Sequence, residues 1–391
     1  MQLLSLDESY LKGKGAYLTA AEIAGQPDLW NAIEHLFFEY RDDVHAFLSR
    51  AYKEVDNIIF TGAGTSAFIG LSLEGPFFRN TKIQSRAIAT TNIVSHPQDY
   101  FNTEQTSLII SFARSGNSPE SNAALKLADA FSKKCFHLII TCDENGSLAQ
   151  YETSNPKYVF VLPEKANDKS LAMTGSYSGM LLTGLMMAYI NHPSIIKDQV
   201  QLLIKAAGHI LSGALVMLQK TAAKDFRRAM FLGSGNLFGT ATEAALKLQE
   251  LTDGKIICKE DSYLGLRHGP KAVIDEQTLV VYFFSSNDYV KQYEYDLAGA
   301  MKTGNNALYE LAVSEKKENI VEVNAQINFD DGQECIEEDF LPVCAIVPAQ
   351  LLAFYKSLAV GLSPDNPSVN GAISRVVQGV IIYPFEASMT I

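Results

Sequence analysis

Apolar residues in the first fifty positions, including Leu29, Ile33, Leu36, Phe37, Val44 and Leu48, recur with a helical period. The pattern predicts an N-terminal helical segment over residues 1–50. From Asn57 the rhythm changes. Asn57-Ile58-Ile59-Phe60 is a short apolar run that ends in the turn Thr61-Gly62-Ala63-Gly64-Thr65-Ser66, and helical sequence follows. Similar runs at Leu108 to Phe112, Leu138 to Thr141 and Tyr158 to Leu162 are separated by helix-like segments. Short apolar strands alternating with helices predict an α/β fold with a parallel sheet covered on both faces.

The second half repeats this grammar. Ala229 to Leu232 runs into Gly233-Ser234-Gly235, a long helix starts near Leu237, and Thr278 to Phe284 reads as the next strand. Gly62 and Gly233, and Ser107 and Thr278, are both 171 positions apart. One shared offset for two signals predicts an internal duplication, with a period far too long for a solenoid. The expected organisation is a helical segment over 1–50, a first domain over 51–200 and a second over 201–391, with a seam near Asn191 to Lys205.

Composition narrows the function. A net charge of −12 argues against nucleic acid and against an anionic membrane surface, since both need clustered Lys and Arg. Hydrophobic residues at 47% and charged residues at 19% are ordinary for a globular chain. The five cysteines, Cys135, Cys142, Cys258, Cys335 and Cys344, have no C-x-x-C pair and signal neither a disulfide framework nor a zinc site. The start of the chain lacks the basic and apolar regions of a signal peptide. The apolar run near Met180 to Ile190 is too short to span a bilayer, so a reducing cytoplasm is expected.

Gly62, Gly64 and Ala67 also fit a dinucleotide turn, but no acidic residue follows between Glu74 and Asp99 to hold a ribose. The next turn, Arg114-Ser115-Gly116-Asn117-Ser118-Pro119, brings hydroxyls and an amide to a helix start. Ser118 reads as an N-cap with Pro119 at the first helical position. Such a terminus suits a phosphate monoester, although an ordinary cap fits the same residues. In the second half, Glu243, Lys247 and Glu250 form one helical stripe, which reads equally as a solvated face. His268 precedes Gly269-Pro270, so it sits on a loop, where an imidazole can be merely exposed or can move protons near neutral pH.

Together, the Thr65-Ser66 and Ser115-to-Ser118 turns, the Glu243-Ala244-Ala245-Leu246-Lys247-Leu248-Gln249-Glu250 helix and Arg267-His268-Gly269-Pro270 resemble the sugar isomerase (SIS) family. The tandem arrangement is similar to the isomerase half of glucosamine-6-phosphate synthase and, closer still, to AgaS-type galactosamine-6-phosphate deaminase/isomerases, also labelled tagatose-6-phosphate ketose/aldose isomerases. The resemblance implies two five-stranded parallel sheets flanked by helices, a homodimer and no cofactor, and the lack of a His/Asp/Glu cluster with ligand spacing leads us to expect no metal. It implies a substrate- and phosphate-binding set of Gly64, Thr65, Ser66, Arg114, Ser115, Gly116, Asn117 and Ser118, with the hydroxyls of Ser66, Ser115 and Ser118 on the phosphate. It implies Glu250 as the proton-transfer base, Glu243 and Lys247 in support, and His268 for ring opening, reaching in from the neighbouring subunit.

Two departures from the synthase matter. No cysteine precedes Cys135, so the synthase's route to ammonia from glutamine is absent, and Arg375 follows Asp365-Asn366-Pro367 where the synthase has a lysine. Arginine stays charged and cannot act as an amine base. The expected reaction converts a hexosamine 6-phosphate to a ketose 6-phosphate and ammonia through an enolamine, with burial expected to tune Glu250. A plain aldose–ketose isomerase, a non-catalytic sugar-phosphate sensor and a metal-dependent isomerase stand as alternatives. Sequence does not distinguish galacto from gluco substrates, and the acidic stretch Asp330 to Asp339 has no assigned role.

Overall fold

The computed structural model describes residues 2–303, 306–319, 322–329, 335–377 and 379–385. The chain opens with a two-stranded hairpin, β1 (Gln2–Leu3) and β2 (Leu6–Asp7), ahead of three helices: α1 (Glu8–Gly13), α2 (Tyr17–Ala24) and α3 (Gln26–Ala51). The first fifty residues are therefore helical apart from a short hairpin that their apolar period did not signal.

The first sheet unit comprises β3 (Asn57–Thr61), α4 (Thr65–Thr81), β4 (Gln84–Ala87), α5 (Thr90–Ser95), β5 (Thr106–Ala113), α6 (Pro119–Phe131), β6 (Lys134–Thr141), β7 (Lys157–Val161) and α7 (Gly175–Ala188). Its parallel strands lie in the order β4-β3-β5-β6-β7. Two helices, α8 (Pro193–Gly213) and α9 (Leu215–Ala222), lead to the second unit, and α8 runs unbroken through the expected seam. The second unit comprises β8 (Arg228–Leu232), α10 (Leu237–Leu251), β9 (Ile257–Asp261), α11 (Tyr263–Leu266), β10 (Thr278–Phe283), α12 (Asp288–Met301), β11 (Tyr309–Ser314), β12 (Ala325–Asn328) and α13 (Leu341–Ala359). Its parallel order, β9-β8-β10-β11-β12, repeats the first. The repeat extends to register: Asn57 pairs with Ser107, and Arg228, 171 positions on, pairs with Thr278.

Every residue of β5 and of β10 is buried, as central strands with helices on both faces require. The two units meet through helices. α4 and α10 touch so closely that a Cβ on Gly239 would lie 2.3 Å from Ser72 Oγ, and that hydroxyl donates to the Asn236 carbonyl at 2.7 Å. A side chain at Gly239 would push the helices apart. The N-terminal helices join the same core through polar contacts. Trp30 Nε1 donates to Ser178 Oγ at 3.0 Å, and Gln26 Nε2 donates to Gln350 Oε1 at 2.8 Å.

Among the described residues, α13 is long and apolar enough by composition to cross a bilayer, a stretch the sequence reading passed over. In the fold every residue of that helix from Leu341 to Ser357 is buried inside the molecule, against α9, α10 and neighbouring elements.

Candidate active site

The chain leaves β3 toward β4 on one side and arrives at β5 on the other, so β3 and β5 flank a switch point of the sheet. Diverging connections at such a point leave a crevice above the strand ends. Both serine-bearing turns open there. Gly64, at φ 55°, begins α4 with no side-chain cap. Ser118 begins α6 with the extended backbone of an N-cap, φ −69° and ψ 132°, but its hydroxyl makes no cap bond. That hydroxyl instead lies 2.6 Å from Ser121 Oγ.

Ser66, Ser115, Ser118 and Ser121 line a cavity of about 100 Å³. It adjoins a larger cavity of about 560 Å³, and the two share Ala63, Arg114, Met173, Arg375 and Val377. Gly64, Thr65, Leu171, Lys247, Glu250 and the stretch from Gly371 to Ser374 line the larger one. Sequence reasoning missed Ser121, Leu171, Met173 and the stretch 371–374. Ser121 had a readable signal, because it lies three positions after Ser118 on one helical face.

The stripe on α10 does not face water. The side chains of Glu243 and Lys247 are 0% and 1% exposed, whereas that of Glu250 is 24% exposed. Lys247 Nζ lies 2.5 Å from Glu250 Oε2, 3.4 Å from Glu243 Oε1 and 3.0 Å from Thr65 Oγ1. Thr65 in turn donates to Glu243 Oε1 at 3.3 Å. Burial pushes Glu243 up to about 8, against the pull of Lys247 beside it. Burial alone would lower Lys247, but the two carboxylates outweigh it and hold the ammonium above its usual value. Glu250 sits in the last turn of α10, open to the cavity, and the enclosed carboxyl is Glu243.

Other predicted residues divide by position. Arg114 is buried and donates from Nη1 to the carbonyls of Ser170 (3.3 Å) and Leu171 (3.1 Å), and from Nη2 to that of Arg375 (2.6 Å). Its guanidinium thus ties the cavity wall together. The Thr65 hydroxyl belongs to the Lys247 network, and the Asn117 amide oxygen accepts from Ser147 N at 3.0 Å. Gly116, at φ 66°, allows the turn, and its carbonyl accepts from Leu148 N at 2.9 Å. His268 is exposed on the turn after α11 and lines neither cavity.

The duplicated turn is built differently. Gly235 matches Gly64 in conformation, at φ 57°, yet Leu237 stands 171 positions after Ser66. The carboxylate of Glu338 also occupies the donors there, accepting from Ser285 Oγ at 2.6 Å and from Ser286 N at 2.7 Å. Residues 330–334 of the acidic stretch lie outside the described residues, but Glu338 gives its end a role: closing the second turn. Asp129, Cys135 and His137 form a cluster with metal-ligating atoms that sequence spacing did not signal. It lines neither cavity, and the Asp129 carboxylate is already taken up by His137, Tyr151, Thr153 and Asn155.

The SIS domain profile matches residues 51–190. D-galactosamine-6-phosphate deaminase AgaS of Shewanella sp. (strain ANA-3) is 38% identical over 386 residues, 98% of this chain and 96% of that protein. A crystal structure from Clostridium novyi superposes with a TM-score of 0.95 at 39% identity, covering 98% of this chain and 100% of that one. Tagatose-6-phosphate ketose/aldose isomerase from Escherichia coli superposes with a TM-score of 0.83 at 35% identity, covering 94% of this chain and 97% of its own. With its paired five-stranded sheets and near-full-length likeness to these proteins, the chain belongs to the SIS-domain family, among the AgaS-type proteins.

Proposed function

We propose that this protein converts D-galactosamine 6-phosphate to D-tagatose 6-phosphate and ammonia. The relatives' names point to that chemistry. The observation that carries it is one continuous crevice with four serine hydroxyls at one end and the Lys247–Glu250 pair at the other. In this reading the phosphate takes the smaller cavity, held by Ser66, Ser115, Ser118 and Ser121 beside the starts of α4 and α6. The sugar carbons extend into the larger cavity toward Glu250.

His268 of a neighbouring subunit passes a proton between ring oxygen and anomeric hydroxyl, opening the ring to the aldehyde. Glu250 removes the C2 proton and O1 is protonated, giving an enolamine. Return of the proton to C1 leaves a C2 imine, and water adds to it and expels ammonia. Lys247 holds the Glu250 carboxylate in place through its charged hydrogen bond. We propose a homodimer, which would let the outward-facing His268 reach a neighbour's crevice, and a reducing cytoplasm, in keeping with five unpaired cysteines. A plain isomerase would use the same residues without hydrolysing an imine, and the name of the Escherichia coli protein keeps that reading in view.

The test follows ammonia and ketohexose phosphate together from galactosamine 6-phosphate, from glucosamine 6-phosphate and from an unaminated aldose 6-phosphate. Equal release of both products from the galacto substrate, reduced about 10²–10⁴-fold by Glu250→Gln, is expected for loss of a general base. Ketose without ammonia from an unaminated aldose phosphate would leave the plain isomerase, and no product from any substrate would leave a sensor.

A further inference from the structure

The N-terminal helices lie outside the crevice, yet they hold its wall. Glu22, on α2, accepts from Lys169 N at 2.6 Å and from Ser170 N at 3.1 Å through Oε1, and from Ser170 Oγ through Oε2. The carbonyls of Ser170 and Leu171, on the other side of that loop, receive Arg114. Arg114 also grips the Arg375 carbonyl, and Arg375 returns to the same loop, donating to Asn167 Oδ1 (2.6 Å) and to Asp168 O (2.9 and 2.6 Å). Asp365 adds a second tie. Its carboxylate accepts from Thr19 N and Thr19 Oγ1, both at 2.8 Å, while its carbonyl accepts from Leu171 N at 3.0 Å. Leu171, Arg114 and Arg375 all line the larger cavity.

We propose that Glu22 is a positioning residue of the reaction, which sets the 169–171 loop so that Arg114 can hold the Arg375 segment over the substrate crevice. It lines neither cavity of the crevice and acts only through Ser170, Leu171 and Arg114. The role in turnover rests on the deaminase reading above, but the role in holding the segment does not. Burial, followed by the Asp168 carboxylate nearby, pushes Glu22 up to about 7. Its work as an acceptor therefore does not depend on full charge, and glutamine, which keeps a carbonyl oxygen, should replace it.

Glu22→Ala and Glu22→Gln are compared by steady-state kinetics with galactosamine 6-phosphate and by the rate of tryptic cleavage after Arg375. Glu22→Ala is expected to raise KM about tenfold with kcat changed less than about threefold, the mark of lost binding rather than lost chemistry. Cleavage after Arg375 should quicken about tenfold as the segment opens more often, and Glu22→Gln should restore both readouts. Unchanged KM and unchanged cleavage in Glu22→Ala overturn the proposal, as does a fall in kcat at constant KM. If the wild-type protein does not turn over this sugar, the functional reading fails and the Arg375 cut alone decides this one. Should Glu22→Ala not fold, Ser170→Ala must still quicken the cut and Glu22→Gln must still match wild type; failure of either overturns the proposal.

Discussion

Lys247→Met tests the electrostatics of the α10 network with little change in side-chain volume. Lys247 is the cation between two carboxyls, and Glu243, its inner partner, is fully enclosed and already has one oxygen with no partner. Removing one member of a buried ion pair costs roughly 3–5 kcal/mol, because the other charge is stranded. The sign with pH follows from Glu243. Its pKa is raised from 4.5 to about 8 in the fold, so the stability associated with its proton is full below 4.5 and is lost as pH rises through 8. At pH 6, Glu243 is neutral with or without Lys247, and the variant loses hydrogen bonds and the partly exposed pair with Glu250, about 1–2 kcal/mol together. At pH 9 the variant must bury a bare carboxylate or hold a proton against solution. For a chain of this length, the full penalty lowers the melting midpoint by about 4–6 °C. Thermal melts of wild type, Lys247→Met and Glu243→Gln/Lys247→Met at pH 6 and pH 9 provide the measurement. The single variant should fall well below wild type only at pH 9, and the double variant should recover most of the loss. Equal shifts at both pH values, or a double variant no better than the single, would refute the burial argument.

Two further outcomes are expected. Gly239→Ala places a methyl 2.3 Å from Ser72 Oγ and 2.9 Å from the Phe68 carbonyl, so it should lower stability by roughly 1–3 kcal/mol, read as a drop in melting midpoint despite alanine's better helix propensity. If His268 serves the neighbouring subunit of a dimer, mixing inactive His268→Ala and Glu250→Gln proteins under conditions of subunit exchange should regain roughly a quarter of wild-type activity, and no recovery would place His268 outside that site.

Sequence carried the fold furthest where burial was complete. β3, β5 and β10 announce themselves as apolar runs because helices cover both their faces. β4 (Gln84-Ser85-Arg86-Ala87) and β9 (Ile257-Cys258-Lys259-Glu260-Asp261) lie at sheet edges, half exposed, and their polar residues hide the strand period. The site was legible as residue types in turns but not as partners. Nothing in spacing tells that Thr65 meets Lys247 across 182 positions, that Arg114 binds carbonyls, or that residues 371–374 return to the crevice. Those contacts come from the packing of α4 against α10 and from the loop after β7, which are properties of the assembled core.

The duplication explains why one chain carries one crevice of this kind among its described residues. Each half brings a strand–glycine turn–helix to the carboxyl end of a switch point, with Gly64 and Gly235 in matching conformations. The halves then differ at the positions that line the first copy's small cavity. The first keeps Ser66, Ser115 and Ser118 and has no carboxylate lining the small cavity, so its turns remain open to an anion. The second places Leu237 at the position of Ser66 and turns Glu338 onto its own serines. A second carboxyl, Glu294, pushed up to about 8 by burial, accepts from Ser285 N at 2.9 Å and takes up another donor there. An anionic ligand at that turn would find these donors already taken and would meet the Glu338 carboxylate, where like charges repel. The second half contributes its helix instead. The α4–α10 contact at Gly239 brings Glu243, Lys247 and Glu250 from the second copy to the threshold of the first copy's turn. In the proposed reading, neither half alone would combine donors for a phosphate with a base.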